Sequence, residues 1–385
     1  MNNKLLKSLP LFFLVSRFIL LLSLPIEGLR GYGDVLHFYR LAGMGWPFLN
    51  HWSEYPPLFP ILSTLLYYLT GDRQHAFDYL LVILLTLIQT GNILLFIRLG
   101  QRIYVEKELL LRAIGYIFIL IGLAFSWWYF DPIAEFFMLL GLLWLLEGST
   151  VRSGVAIALG VLTKFFPALI LPVAWKRLPI QKTLVITVLA LGIPAIVYAG
   201  LYMVSPQITR ASLGSQINKS SWETIWALVD GNLQTGNFGP LNERFDPVTA
   251  FQPRGNQARL PAWLTLIPFA ALGGWVWWRA RLTNDHAAVA FLGLTWCLFL
   301  LWSPGWSPQW VFYLLPLILL ALPERPALLM AALLVLINLL EWPVLLSRGY
   351  DWGLWLTIPL RTVLIILLGM EFWRVVRKPE EISHA

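Results

Sequence analysis

The chain has 385 residues, 58% of them hydrophobic and only 13% charged, with a mean hydropathy of +0.68. Soluble domains carry about 25% charged residues, so this composition excludes a water-soluble enzyme or binding module and indicates a polytopic membrane protein that uses lipid as solvent for its apolar side chains. The net charge of +7 comes without Lys/Arg clusters interleaved with aromatics, which excludes a nucleic-acid groove, and it records orientation in the bilayer instead. The single cysteine, Cys297, rules out a disulfide framework or a multi-cysteine metal site and reads as a small buried hydrophobe.

In chain order, residues 9–25 follow Lys4 and Lys7 and lack a small-residue cleavage site, so they predict an uncleaved first span with the N-terminus inside. The next strong apolar run is 79–97, followed by the basic cluster Arg98, Arg102, Lys107 and Arg112. Residues 26–78 then form a long first external loop that lies on the membrane, with two short apolar helices predicted at 35–42 and 58–69, each preceded by a breaker. Residues 113–130 return outward and 133–146 go back, joined by a corner at Asp131-Pro132.

The segment 154–175 is interrupted by Pro167 and Pro172 and ends at Lys176-Arg177. A single crossing would place that basic pair outside, so two half-length helices that enter and return are expected. Residues 184–204 lead outward to a second external loop, 205–260, with one amphipathic stretch, SWETIWALVDGNL. Spans are then expected near 262–278, 287–302, 310–322, 327–345 and 353–372. Sixteen of the 28 Lys and Arg fall inside on this scheme and nine outside, mostly in the two long loops, while Arg17, Lys164 and Arg361 lie within apolar segments. No fixed-period repeat is present, and one membrane domain, 1–385, is expected.

Catalysis requires converging polar groups, and the external loops hold them: Asp34, His37, Arg40, His51, Glu54 and Tyr55, then Asp131 and Glu135. Asp34 precedes an interfacial helix with His37 one turn on, which suits either a general base or a simple N-cap. Asp131 and Glu135 are four apart, so both could face the first loop, although Asp-Pro is also a helix-start signal and Glu135 also complements a helix dipole. Lys164 places an ammonium in an apolar segment, a costly position that is either functional or relieved by snorkelling. Trp306 and Gln309 are candidate sugar or phosphate contacts, and an interfacial Trp is equally a belt residue.

The segment GYGDVLHFYRLAGMGWPFLNHWSEYPPLFPIL resembles the first external loop of GT-C glycosyltransferases that use polyprenyl-phosphate sugars, in which an early acid precedes a Y-P-P-L element. Here the matching positions are Asp34 and Tyr55-Pro56-Pro57-Leu58. FDPIAEFFMLLGLLWLLEGSTVRSGVAIALGVLTKFFPALILP and WSPGWSPQWVFYLLPL resemble two further family segments in the same order. The likeness is strongest to bacterial polyprenyl-phosphate-mannose-dependent mannosyltransferases. It implies an all-α bundle of about 11–12 transmembrane helices with interfacial helices in the first loop.

The implied reaction is inverting transfer of a sugar, mannose, from a polyprenyl-phosphate donor to a lipid or glycan acceptor at the external face of a bacterial plasma membrane. Asp34 is implied as the base, with Asp131, Glu135 and Glu54 as secondary acids. Lys164, helped by Arg254 and Arg259, is expected to bind the donor phosphate, and His37, Tyr55, Trp306 and Gln309 to contact sugar or acceptor. No metal and no cofactor is expected, since the first loop has one acid rather than an Asp-x-Asp pair. Trp310 also departs from the commoner tyrosine after Ser-Pro-Gln. A transporter or flippase is the competing class, because broken helices and a membrane lysine suit it too; it would place polar groups near midplane and show matching halves.

Overall fold

Proline and glycine breaks divide the apolar runs into helices of very unequal length. The computed structural model describes residues 2–377 apart from 31, 32, 124, 235, 237 and 253, and these contain no β-strand. The helices, in order, are α1 (Asn2–Ser23), α2 (Val35–Gly43), α3 (Leu58–Leu69), α4 (Gln74–Gly100), α5 (Glu106–Gly122), α6 (Phe125–Trp128), α7 (Asp131–Leu146), α8 (Thr150–Thr163) and α9 (Leu171–Arg177). They continue as α10 (Ile180–Val204), α11 (Pro206–Ile217), α12 (Ile225–Asp230), α13 (Ala262–Arg279), α14 (Asp285–Trp302), α15 (Val311–Ala321), α16 (Glu324–Leu339) and α17 (Leu354–Arg377). The two helices expected in the first loop form as α2 and α3, because each follows a backbone break and carries an apolar face.

Six stretches among the described residues are long and apolar enough to cross a bilayer: Lys4–Ser23, Gln74–Gly100, Ile180–Val204, Asp285–Trp302, Glu324–Arg348 and Asp351–Arg377. The expected all-helical bundle is therefore present, but several of the eleven to twelve expected crossings are shorter than the roughly 20 residues a full span needs. α8 has 14 residues and α15 has 11. Every residue of α15 is buried, so it is a core helix surrounded by its neighbours rather than a lipid-facing span. The second loop contains a helix that the sequence reading did not anticipate, α11, whereas the amphipathic stretch beginning at Ser221 is helical only over α12.

Ion pairs fix the direction of the short helices. At one end of the bundle Arg102 donates to Asp285 (2.6 Å) and to the carbonyl of Leu146 (3.1 Å), and Arg177 meets the same Asp285. At the other end Lys164, just past α8, pairs with Asp131 at the start of α7 (2.7 Å). The chain thus runs down α7, back along α8 to Lys164, and down again through residues 166–177, which is the expected entry and return. At 1.5 Å per residue α8 is about 21 Å long, so Lys164 sits deeper than the ends of the 27-residue α4. Close packing permits this: a Cβ at Gly141, Gly154 or Gly160 would lie 2.7–2.9 Å from Ile157, Leu189 or Pro167.

Candidate functional site

The first loop is held to the bundle through Gly33 and Asp34. A Cβ at Gly33 would lie 2.0 Å from Cβ of Trp128, so only glycine fits there, and the Asp34 amide donates to the Trp128 carbonyl (3.1 Å). The Asp34 side chain makes no capping hydrogen bond to α2, so the structure does not use it as the N-cap that the local sequence allows. Among the described residues its one hydrogen-bond contact is the Tyr55 hydroxyl, a long donor at 3.5 Å. The carboxylate is half-buried. Burial raises its pKa above the ordinary aspartate value; His37, Lys219 and Lys164 oppose this, and Glu54 reinforces it.

His37 lies beside Asp34 and reaches Glu54 with Nε2 (3.3 Å). Burial disfavours its charged form, but the Glu54 carboxylate outweighs that and raises its pKa. Glu54 itself is gripped by both terminal nitrogens of Arg244, from the second loop. Burial would raise its pKa, yet Arg244 and then His37 hold it well below the usual carboxylate range, which makes Glu54 a poor base. The Arg244 guanidinium also lies over Trp52, 4.0 Å from the ring centroid, while the Trp52 indole N–H points at Thr249 and the carbonyls of Glu243 and Asp246. The two long loops are therefore joined across about 190 residues by this ion pair and Trp52.

Asp131 and Glu135 diverge. Asp131 Oδ1 accepts from Lys164 (2.7 Å) and from the Tyr313 hydroxyl (2.9 Å), and its buried Oδ2 has no partner. Glu135, one turn deeper and rotated about 40° around the helix, points away into the bundle, where Tyr116 (2.6 Å) and Asn92 (2.8 Å) donate to it. It does not face the first loop, a correction to the expectation from its spacing. Lys164 is enclosed by Phe130, Phe166 and Trp310, each 5.3–5.6 Å from its ammonium.

Of the remaining expected residues, Tyr55 stands edge-on to Phe130 (5.0 Å), and Gln309 is half-buried with an Oε1 that has no partner among the described residues. Trp306 is not a contact surface for a sugar: it is 1% exposed, donates to Asn338 (3.0 Å) and supports the Arg361 guanidinium. Arg254 is exposed and bound to Glu243 (2.7 Å), and Arg259 is exposed with only its backbone amide tied to Asp230. Neither is among the charges acting most strongly on Asp34.

Two basic residues that the sequence reading passed over are at the site instead, Arg244 and Lys219. The only local hint was a lysine three residues before a tryptophan in an otherwise polar loop. Trp222 is fixed against the Ser-Pro-Gln segment: its backbone exchanges hydrogen bonds with Pro304 and Trp306, and its indole donates to Ser307 (3.2 Å). The ring slots between Gly305 and Gly236, where an added Cβ would lie 2.2 Å and 2.5 Å from it. Beneath it Arg361 joins Glu341 to the backbone of Glu223, a residue held at φ +50°.

The model of glycosyltransferase family 87 matches residues 52–304. Among solved structures, the oligosaccharyltransferase of Archaeoglobus fulgidus in its apo form aligns with 94% of this chain at 12% identity and a TM-score of 0.47, and the chain spans 56% of that protein's length. Comparison with curated proteins gives no match.

Proposed function

The chain belongs to glycosyltransferase family 87, and we propose that this integral membrane glycosyltransferase moves mannose from a polyprenyl-phosphate donor to a lipid or glycan acceptor with inversion. The observation that carries the reading is the Asp34 carboxylate, which has no capping role and, among the described residues, no charged partner in hydrogen-bonding contact. In the proposed reaction an acceptor hydroxyl attacks the anomeric carbon while Asp34 takes its proton. The bond from that carbon to the phosphate oxygen breaks on the opposite face, and the lipid phosphate leaves. A weak base is sufficient because the proton becomes acidic only as the new bond forms. The raised pKa of Asp34 moves its basicity toward neutral pH.

Asp131 with Lys164, and Gln309, line the same region and support a phosphate or sugar subsite. No metal and no cofactor enters the proposal. An apolar carrier reaches such a site sideways from the bilayer, which suits polar groups placed beside short helices. The decisive assay offers membranes polyprenyl-phosphate mannose, glucose and arabinose separately. Transfer from the mannose donor is expected to exceed the other two by at least roughly tenfold. Movement of the lipid-linked sugar across the bilayer without a new glycosidic bond would establish a flippase instead.

The site is proposed to lie at the external face of a bacterial plasma membrane, because that orientation keeps the compact basic clusters inside. With Cys297 replaced by Ala, cysteines at Val105 and Ile180 should resist an impermeant maleimide in intact cells. Cysteines at Asp72 and Phe251 should react. Labelling of 105 or 180 from outside would invert the topology.

A further inference from the structure

The charges around Asp34 pair unequally. Glu54 is taken by Arg244, Asp131 by Lys164 and Glu341 by Arg361. Among the described residues that leaves two carboxylates with no cation bonded to them, Asp34 and the Glu223 beside Glu341, and one ammonium near them, Lys219, which has no hydrogen bond or ion pair. Lys219 instead lies over the faces of Trp222 (4.2 Å) and Phe238 (5.2 Å). Aromatic faces stabilise a cation while leaving N–H donors free for an anion. Trp222 cannot yield, because Gly236 and Gly305 close on both of its sides.

We propose that Lys219, supported on Trp222, is the group that binds the donor's phosphate and stabilises it as it leaves; this rests on the glycosyl-transfer reading above. In the donor the phosphate is a diester with one negative charge. When the anomeric C–O bond breaks, its electron pair stays on the phosphate oxygen, and the lipid phosphate becomes a monoester with a second charge, while the acceptor's proton goes to Asp34. A fixed ammonium therefore interacts more strongly with the leaving phosphate than with the bound donor, which is the condition for accelerating the chemical step. Lys164 is less suited, because Asp131 already neutralises it.

The groups facing Lys219 are Glu54, Asp34 and Glu223, whose carboxylates favour its charge, and Lys164 and Arg244, which oppose it. Burial outweighs these and lowers its pKa to about 8. Anion binding through Lys219 should accordingly be strong at pH 7 and weaken as pH rises past 8.

The test measures binding of a short-chain prenyl monophosphate to the purified full chain, with sugar transfer followed in parallel. Lys219→Met is expected to bind roughly ten- to a hundredfold more weakly at pH 7, the worth of a hydrogen bond to a charged group. Wild-type binding should fall between pH 7 and 9, whereas Lys219→Arg should bind evenly across that range, because arginine does not titrate there. Lys219→Met binding as tightly as wild type, Lys219→Arg following the wild-type pH profile, or a wild-type protein that binds no prenyl phosphate would each overturn the proposal. If Lys219→Met does not fold, the pH profile of Lys219→Arg decides. Phosphate binding through Lys219 without transfer of any sugar would defeat the glycosyl-transfer reading, and with it the leaving-group role, while keeping Lys219 as a phosphate site. Transfer that is indifferent to Lys219→Met would defeat this inference alone.

Discussion

Asp34→Asn should fold, bind donor within a few-fold of wild type and lose roughly two to four orders of magnitude in turnover. Stability should hold because the Asp34 side chain makes no cap bond that the amide could lose, and asparagine caps as well as aspartate does. Turnover should collapse because an amide cannot take the acceptor's proton. In the wild type the acidic limb of the pH–rate profile should lie above the ordinary aspartate pKa, since burial raises that of Asp34, and activity should rise as pH passes through it. Near-normal turnover in Asp34→Asn would move the search to Asp131, whose Oδ2 is unpartnered. Glu54 would not replace it, because Arg244 holds it ionised and occupied.

Arg244→Met should destabilise the protein by up to about 3–5 kcal/mol, the cost of taking the guanidinium from a buried carboxylate that then keeps only His37, 3.3 Å away, as a partner. Arg244 and Glu54 are 2% and 8% exposed at their side chains, so solvent cannot replace the lost partner. The double variant Glu54→Met/Arg244→Met should recover part of the loss, since no orphan charge remains. Thermal unfolding in detergent measures both. Equal loss in the single and double variants would show that the pair is not coupled, and that Arg244 acts through its packing on Trp52. Because the pair joins the two loops that frame Asp34, Arg244→Met should also reduce turnover at temperatures where it remains folded.

What the sequence determined by itself is what depends on local pattern. Apolar runs and their flanking charges established a helical membrane protein. Pro56-Pro57 and Gly33-Asp34 marked the starts of α3 and α2, and Pro167 and Pro172 marked the break after Lys164. The placement of Asp34 beside Tyr55 was legible only through the family likeness of the loop, because 21 residues separate them.

What only the tertiary structure decided is which partner each polar group has. Spacing put Glu135 with Asp131, yet Asn92 and Tyr116 draw it into the bundle. Lys164 read as an unpaired ammonium, and Asp131, 33 residues away, pairs it. Arg244 reaches Glu54 across 190 residues, and among the described residues Lys219 is left without an ion pair while Arg244 and Lys164 beside it are taken. Helix-forming tendency is set by neighbours in sequence, whereas charge pairing depends on distances that no local pattern encodes. The same residues therefore predict their helices well and their chemistry only once the chain has folded.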